Sequence, residues 1–491
     1  MKVENIKTVG ALKKAGYVSK SIQAELRNNL LDKLRKKEEI FPGIKGYDDT
    51  VIPAMERAIL AGHSINLLGL RGQAKTRMAR LMTGLLDEYI PVVEGSEVND
   101  DPLNPLSTFA KKVLAEKGEK TPIKWMHRSE RYAEKLATPD VNIADLIGDM
   151  DPIKAANLKL SYGDEGVIHF GMIPRANRCI FVINELPDLQ PRIQVALFNI
   201  LQEGDIQIRG FKMRFPLDMQ FIFTANPEDY TNRGSIITPL KDRIQSQIIT
   251  HYPETAEIGM SITRQEIKLS DEARKQIVIP ILMERLVEQV AIEARKSEYV
   301  DEKSGVSARL TITAFETMVA SAERRMALSN DKKTVLRMTD LYAAIPAIVG
   351  KIEMVYEGEQ EGAVNVAHRL ISAAVRAVAP GYLMDISQLG NKKKPEAKAR
   401  YKEVLSHFEK HSVDLLSDSS DKEYKQKLEA VKGLEEAVTH FDLAKDGSPT
   451  HLRMEFLLNS LAEYSVLDKK TLGRDVRFVD YLSSVMPWQE E

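Results

Sequence analysis

The chain has 491 residues, 43% of them apolar and 29% charged, with a formal net charge of −2. That length exceeds one hydrophobic core and points to roughly two to four domains. The near-neutral balance leaves no electrostatic footprint for specific nucleic-acid binding, and no apolar run reaches the ~18 residues of a membrane helix. The opening MKVENIKTVGALKK lacks the apolar h-region of a secretory signal, and the single cysteine, Cys179, excludes an internal disulfide and fits a reducing compartment. The expected location is the cytoplasm.

Residues 1–40 read as a charged helical N-terminal extension that stops at Phe41-Pro42-Gly43. A helix follows with Val51, Ile52, Met55, Ile59 and Leu60 clustered on one side, leading into INLLGLRGQAKTRMARLMT. There a short apolar run ends at Gly69, six loop residues follow, and Lys75-Thr76 open a helical segment. YIPVVEG (89–95) reads as a second buried strand, and 100–131 as a polar surface excursion with little motif content. The Gly148-Asp149 and Gly163-Asp164 pairs mark turns. Ile180 to Ile183 has the continuous apolar character of a central parallel strand, and it ends in Asn184-Glu185. A helix closing at Gly204, a hairpin turning at Gly210, and a strand over MQFIFTAN ending at Asn226 come next. Strands alternating with helices predict a parallel α/β sheet over 41–253, whose ligands sit at the carboxyl ends of the strands. From about 254 the strand signal fades. Residues 254–355 read as a helical lid and 356–491 as a helical C-terminal region, with a charged hinge near 389–404.

The stretch GLRGQAKT departs from the usual phosphate loop in having Ala74 where a second glycine usually stands. Its physical demands are still met. Gly69 and Gly72 let backbone N–H groups from Arg71 to Arg77, Gln73 and Ala74 included, face one concavity, and the helix start adds partial positive charge. Lys75 supplies a cation for the β- and γ-phosphates of a nucleotide, and the Thr76 hydroxyl can ligate Mg²⁺. Hydrolysis also needs an oriented water and a cation on the developing charge. Glu185 could polarise that water, and Asn226 could hold it or the γ-phosphate.

INLLGLRGQAKT, IFVINEL, FIFTANPED, LKDRI and GVSARLT, in that order, resemble the Walker A, Walker B, sensor 1, arginine-finger and sensor 2 elements of an AAA+ ATPase. GDEGVIHFGMIPRANRCIFVINE and LQEGDIQIRGFKMRFPLDMQFIFTANP resemble, more narrowly, the clade of the magnesium chelatase ATPase subunit and the MoxR-type ATPases. The resemblance covers about residues 40–350. It implies an AAA+ P-loop core followed by a helical lid, with Glu185 as the Walker B glutamate and Asn226 as sensor 1. Arg243 becomes a finger reaching a neighbouring subunit and Arg309 becomes sensor 2, with Arg233 and Arg178 as rivals for the trans-acting role. It further implies a ring, taken as a hexamer, and a separately encoded von Willebrand factor A partner. No DxSxS motif of such a domain is evident in the last 130 or so residues.

One departure matters. The family pattern has Asp before the catalytic Glu, and this chain has Asn184. Its amide can accept a hydrogen bond from a metal-bound water but brings no negative charge, so weaker Mg²⁺ coupling or slow turnover is expected. A motor that remodels a partner or assists metal insertion therefore stands beside a second reading, a nucleotide-gated scaffold with little turnover. Other features carry less. His407 and His411 share a helix face without the following Glu of a zinc protease. Cys179 reads as core and the lysines at 392–394 as linker. A sigma-54 activator reading fails because the GAFTGA loop is missing between Gly163 and Arg178.

Overall fold

The computed structural model describes residues 5–158, 165–203, 205–206, 215–227, 235–389, 395–440, 443, 446–472 and 475–481. The turn at Gly210, Gly163-Asp164, Gly204, Arg233 and the lysines at 392–394 lie outside the described residues. The chain divides into two compact units, one up to His251 and one from Tyr252 on.

The first unit is organised by five parallel strands: β1 (Ile65–Leu68), β2 (Tyr132–Leu136), β3 (Ile180–Asn184), β4 (Gln220–Ala225) and β5 (Ser246–Ile249). Their order across the sheet is β5-β1-β4-β3-β2, and every pairing is parallel. β3 and β4 are buried at every position, which is why they read as continuous apolar runs. β2 is the edge strand and is only half-buried, so its sequence, YAEKL, carries no such run. On one face Ile65, Leu67, Ile180, Val182 and Ile222 pack against helix α1 (Ile22–Lys36), α2 (Val51–Ala61) and α3 (Lys75–Leu81). On the other, Phe181, Ile183, Phe221 and Phe223 pack against α4 (Pro191–Glu203) and its neighbours.

Helix α1 is capped by Ser21, whose side chain accepts a hydrogen bond from the Ala24 N–H and so satisfies one orphan donor. It shares the core of α2 and β1, and its buried Glu25 makes a bidentate pair with Arg131 at 2.6 and 2.7 Å. Three details differ from the expectations. Residues 89–93 form a strand, but it pairs antiparallel with Ile123–His127 and stays out of the five-stranded sheet. The excursion at 100–131 accordingly holds a helix, Thr108–Lys117, and that partner strand. Gly148-Asp149 lies in a short strand paired with Ile168–Phe170 in place of a turn.

The second unit is helical, with Ile281–Lys296, Arg309–Ser329, Ala363–Tyr382 and Thr450–Glu463 as its long elements. One hydrophobic cluster runs from Ile267 to Phe478, so residues 254–355 and those after 356 share a core. A three-stranded antiparallel sheet (Val413–Leu415, Leu467–Leu472, Asp475–Asp480) is added to these helices. Among the described residues no helix is long and apolar enough to cross a membrane.

Candidate active site

The loop between β1 and α3 is bent by backbone conformations that most residues avoid. Gly72 has φ +74° and Ala74 has φ +57°, so alanine here occupies the left-handed region that a glycine would enter without strain. Gly69 is needed for a different reason: a Cβ on it would collide with Thr250 Oγ1 and Gln73 Oε1. Those two atoms are hydrogen-bonded at 2.6 Å, and the Tyr47 hydroxyl lies 3.0 Å from the Gln73 carbonyl, so buried Gln73 ties the loop to the end of β5. Arg71, Gly72 and Arg77 remain exposed.

Lys75 and Thr76 head α3 and reach different strand ends. The Lys75 ammonium donates to the carbonyls of Gly69 and Leu70 (2.9 Å for Leu70) and to Asn226 Oδ1 at 3.3 Å, just beyond β4. Thr76 Oγ1 donates to Asn184 Oδ1 at 3.2 Å, at the tip of β3. Asn184 Oδ1 also accepts from Thr224 Oγ1 at 3.1 Å, and Thr224 Oγ1 accepts the Glu185 N–H at 3.1 Å. Glu185 follows directly, exposed and in a left-handed conformation (φ +57°), which turns the chain away from the sheet at the strand's end. Hard oxygen donors at Thr76 and Asn184 beside an ammonium are the chemistry that a Mg²⁺-bound polyphosphate requires, so the residues fit ATP and Mg²⁺.

The amide nitrogen of Asn184 donates to Glu134 Oε1 at 2.7 Å. Glu134 Oε2 in turn accepts from Arg80 Nη2 at 2.8 Å and from the Tyr132 hydroxyl at 2.9 Å. Burial and the Glu134 carboxylate push the Tyr132 hydroxyl up, so it stays a protonated donor, while Glu134 raises the Arg80 guanidinium. Neither Glu134 nor Arg80 stands out in a search for apolar runs and glycine loops. The available signal was Thr76 and Arg80 four apart on one helix face, with Tyr132 and Glu134 two apart on one strand face.

The arginines divide. Arg243 ends the helix Thr238–Arg243, donates to the Pro239 carbonyl at 2.7 Å and lies 5.0 Å from the centre of the Phe198 ring, half-buried. Arg309 is exposed at the first position of its helix in the second unit. Arg178 is 5% exposed and donates to the Pro91 carbonyl at 2.7 Å, which removes it as a group that could reach another subunit. Cys179 is buried as expected, and that burial pushes its thiol up to about 12. His407 and His411 have ring centres 4.9 Å apart with their planes tilted by 35°, and no cluster of three or more His, Cys, Asp or Glu suited to a metal occurs among the described residues.

A phosphate-type loop after β1, with polar groups at the ends of β3 and β4 facing it, defines the P-loop class of nucleotide-binding α/β folds. The AAA domain of the dynein-related subfamily matches residues 123–244, which span β2, β3, β4 and the Arg243 helix. Residues 123–244 of the chain are thus similar to an AAA domain, and the phosphate-type loop lies before them in the same unit. Similar solved structures include a presumed ATPase from Cytophaga hutchinsonii ATCC 33406, at 18% identity, covering 73% of this chain and 97% of the other with a TM-score of 0.28. The complex between subunits BchI and BchD of magnesium chelatase gives 20% identity, 65% and 98% coverage and a TM-score of 0.34. Hsp104 with ATPγS and casein gives 12%, 71% and 55%, with a TM-score of 0.38.

Proposed function

We propose that the protein binds and hydrolyses ATP as an AAA+ motor subunit that remodels a protein partner or assists metal insertion. The observation that carries this reading is the convergence of Lys75 on Asn226 across the loop, with Thr76 on Asn184 beside it. In the nucleotide-bound state Lys75 exchanges the Gly69 and Leu70 carbonyls for the β- and γ-phosphates. Thr76 and Asn184 would hold Mg²⁺, which when bound would neutralise phosphate charge. Asn226 orients the attacking water. Glu185 takes its proton as the water oxygen bonds to the γ-phosphorus and the bond to the β–γ bridging oxygen breaks, releasing ADP and phosphate. Arg243, near the surface, completes the site of the next subunit in a ring, taken as a hexamer, and Arg309 serves as sensor 2. The clade's companion, a separate von Willebrand factor A protein, is the expected partner.

Steady-state phosphate release tests this. Lys75→Ala should abolish ATP binding. Glu185→Gln should retain binding while turnover drops by ~10²-fold or more, and Arg243→Ala should cost on the order of 10³-fold where assembly is present. ATP binding without turnover at any protein concentration would instead support the nucleotide-gated scaffold, the reading that Asn184 favours. Mass photometry showing persistent monomers with ATP would remove the role given to Arg243.

A further inference from the structure

Asn184 occupies the position where the Walker B pattern has a carboxylate, and a carboxylate nonetheless sits one hydrogen bond away. A carboxylate can only accept, so Glu134 takes the Asn184 Nδ2–H at 2.7 Å and forces Oδ1 to the opposite side. There Oδ1 meets the hydroxyls of Thr76 at 3.2 Å and Thr224 at 3.1 Å. A flipped amide would set two acceptor oxygens against each other. Thr76, Asn184 and Glu134 thus form one continuous chain from α3 through β3 to β2. Arg80, one helical turn past Thr76, and Tyr132, two residues before Glu134, hold the far oxygen of the carboxylate at 2.8 and 2.9 Å.

We propose that Glu134 is the positioning residue that supplies, from the neighbouring strand, the negative charge the Walker B position lacks. Glu134 aims the Asn184 carbonyl at the Thr76 side of the site, and because its ion-pair partner Arg80 is largely exposed and screened by water, part of the carboxylate's negative charge is still felt there by a Mg²⁺-bound nucleotide. The charge has moved one strand over. An aspartate at position 184 would face the Glu134 carboxylate at hydrogen-bond distance with no proton between them, so restoring the family residue alone is unfavourable. Restoring it together with Glu134→Gln reverses the donor and acceptor and keeps one charge in the pair.

This proposal rests on the P-loop reading above, and the test separates the two. A fluorescent methylanthraniloyl-ATP is titrated into the full chain with Mg²⁺ and with EDTA, and the ratio of affinities measures the Mg²⁺ enhancement. Glu134→Gln should cut that enhancement by about 10-fold, the usual loss for a group behind a metal ligand, and leave the EDTA affinity within about twofold. Asn184→Asp alone should not raise the enhancement. Asn184→Asp combined with Glu134→Gln should return it to within about threefold of the unaltered chain, a non-additivity expected only of groups in contact. An unchanged enhancement in Glu134→Gln overturns the proposal, as does an equal loss of affinity with and without Mg²⁺. If Glu134→Gln does not fold, the double variant decides: a retained enhancement supports the proposal and a lost one overturns it. Nucleotide binding that Lys75→Ala abolishes but Mg²⁺ does not affect sinks the Glu134 role alone. No binding by the unaltered chain sinks both.

Discussion

In the first unit, Lys75, Thr76, Asn184, Glu185 and Asn226 gather where parallel strands end, and Glu185 is exposed at that edge. In the second unit, a comparable set of polar groups is enclosed. Arg325 and Arg337 are each 1% exposed; Arg325 pairs with Asp340 at 2.5 Å, and Arg337 pairs with Asp421. The Arg337 guanidinium lies 4.1 Å from the centre of the Tyr424 ring, and the Tyr424 hydroxyl donates to Glu455 at 2.7 Å, which also accepts the Met338 N–H at 3.0 Å. Both are strong polar networks. The second joins helix to helix and helix to loop, and its charges are spent on one another. The first has its lysine resting on loop carbonyls and a side-chain amide, partners that a polyphosphate can replace. Residue type does not separate a structural network from a candidate binding site; exposure at a strand end does.

The comparison breaks most directly at its buried end. Asp340→Ala leaves Arg325 buried without its carboxylate and should cost about 3–5 kcal/mol, read by urea denaturation of the full chain. Lys75→Ala should cost no more than about 1 kcal/mol while removing nucleotide binding. Equal destabilisation by the two would erase the distinction.

A smaller effect sharpens it. Burial raises the Glu455 carboxyl above its ordinary value, with the Tyr424 hydroxyl pulling the other way. Because the folded state holds that proton more tightly than the unfolded chain, the group's contribution is full below about pH 4.3 and is lost as pH rises through the higher folded value. The neutral variant Glu455→Gln should therefore gain stability relative to the unaltered chain between pH 4.5 and 8, measured as the difference in thermal midpoint. A difference that shrinks as pH rises would reverse the sign and refute the account.

The smallest expected change is in the loop. Relieving the left-handed strain at Ala74 by Ala74→Gly is worth ~1 kcal/mol, and the extra freedom of glycine in the unfolded chain takes back about half of that. A net gain of ~0.5 kcal/mol in urea denaturation is expected. A clear loss would mean that the Ala74 methyl packs usefully against its neighbours.

Contiguous sequence determined the strand–loop–helix at 65–83, the buried strand ending at Asn184 and the one ending just before Asn226, and the helical character after 254. In each, the signal lies within one element: a glycine-bent loop before a lysine, or an apolar run that must be buried on both faces. Tertiary structure alone decided that 89–93 leaves the main sheet, that Arg178 is enclosed, and that Glu134 stands beside Asn184. β2 is an edge strand whose half-buried residues carry no apolar run and resemble a loop until β3 is laid next to it. The 134–184 contact joins residues fifty positions apart, and only the pairing of β2 with β3 brings the carboxylate to the amide.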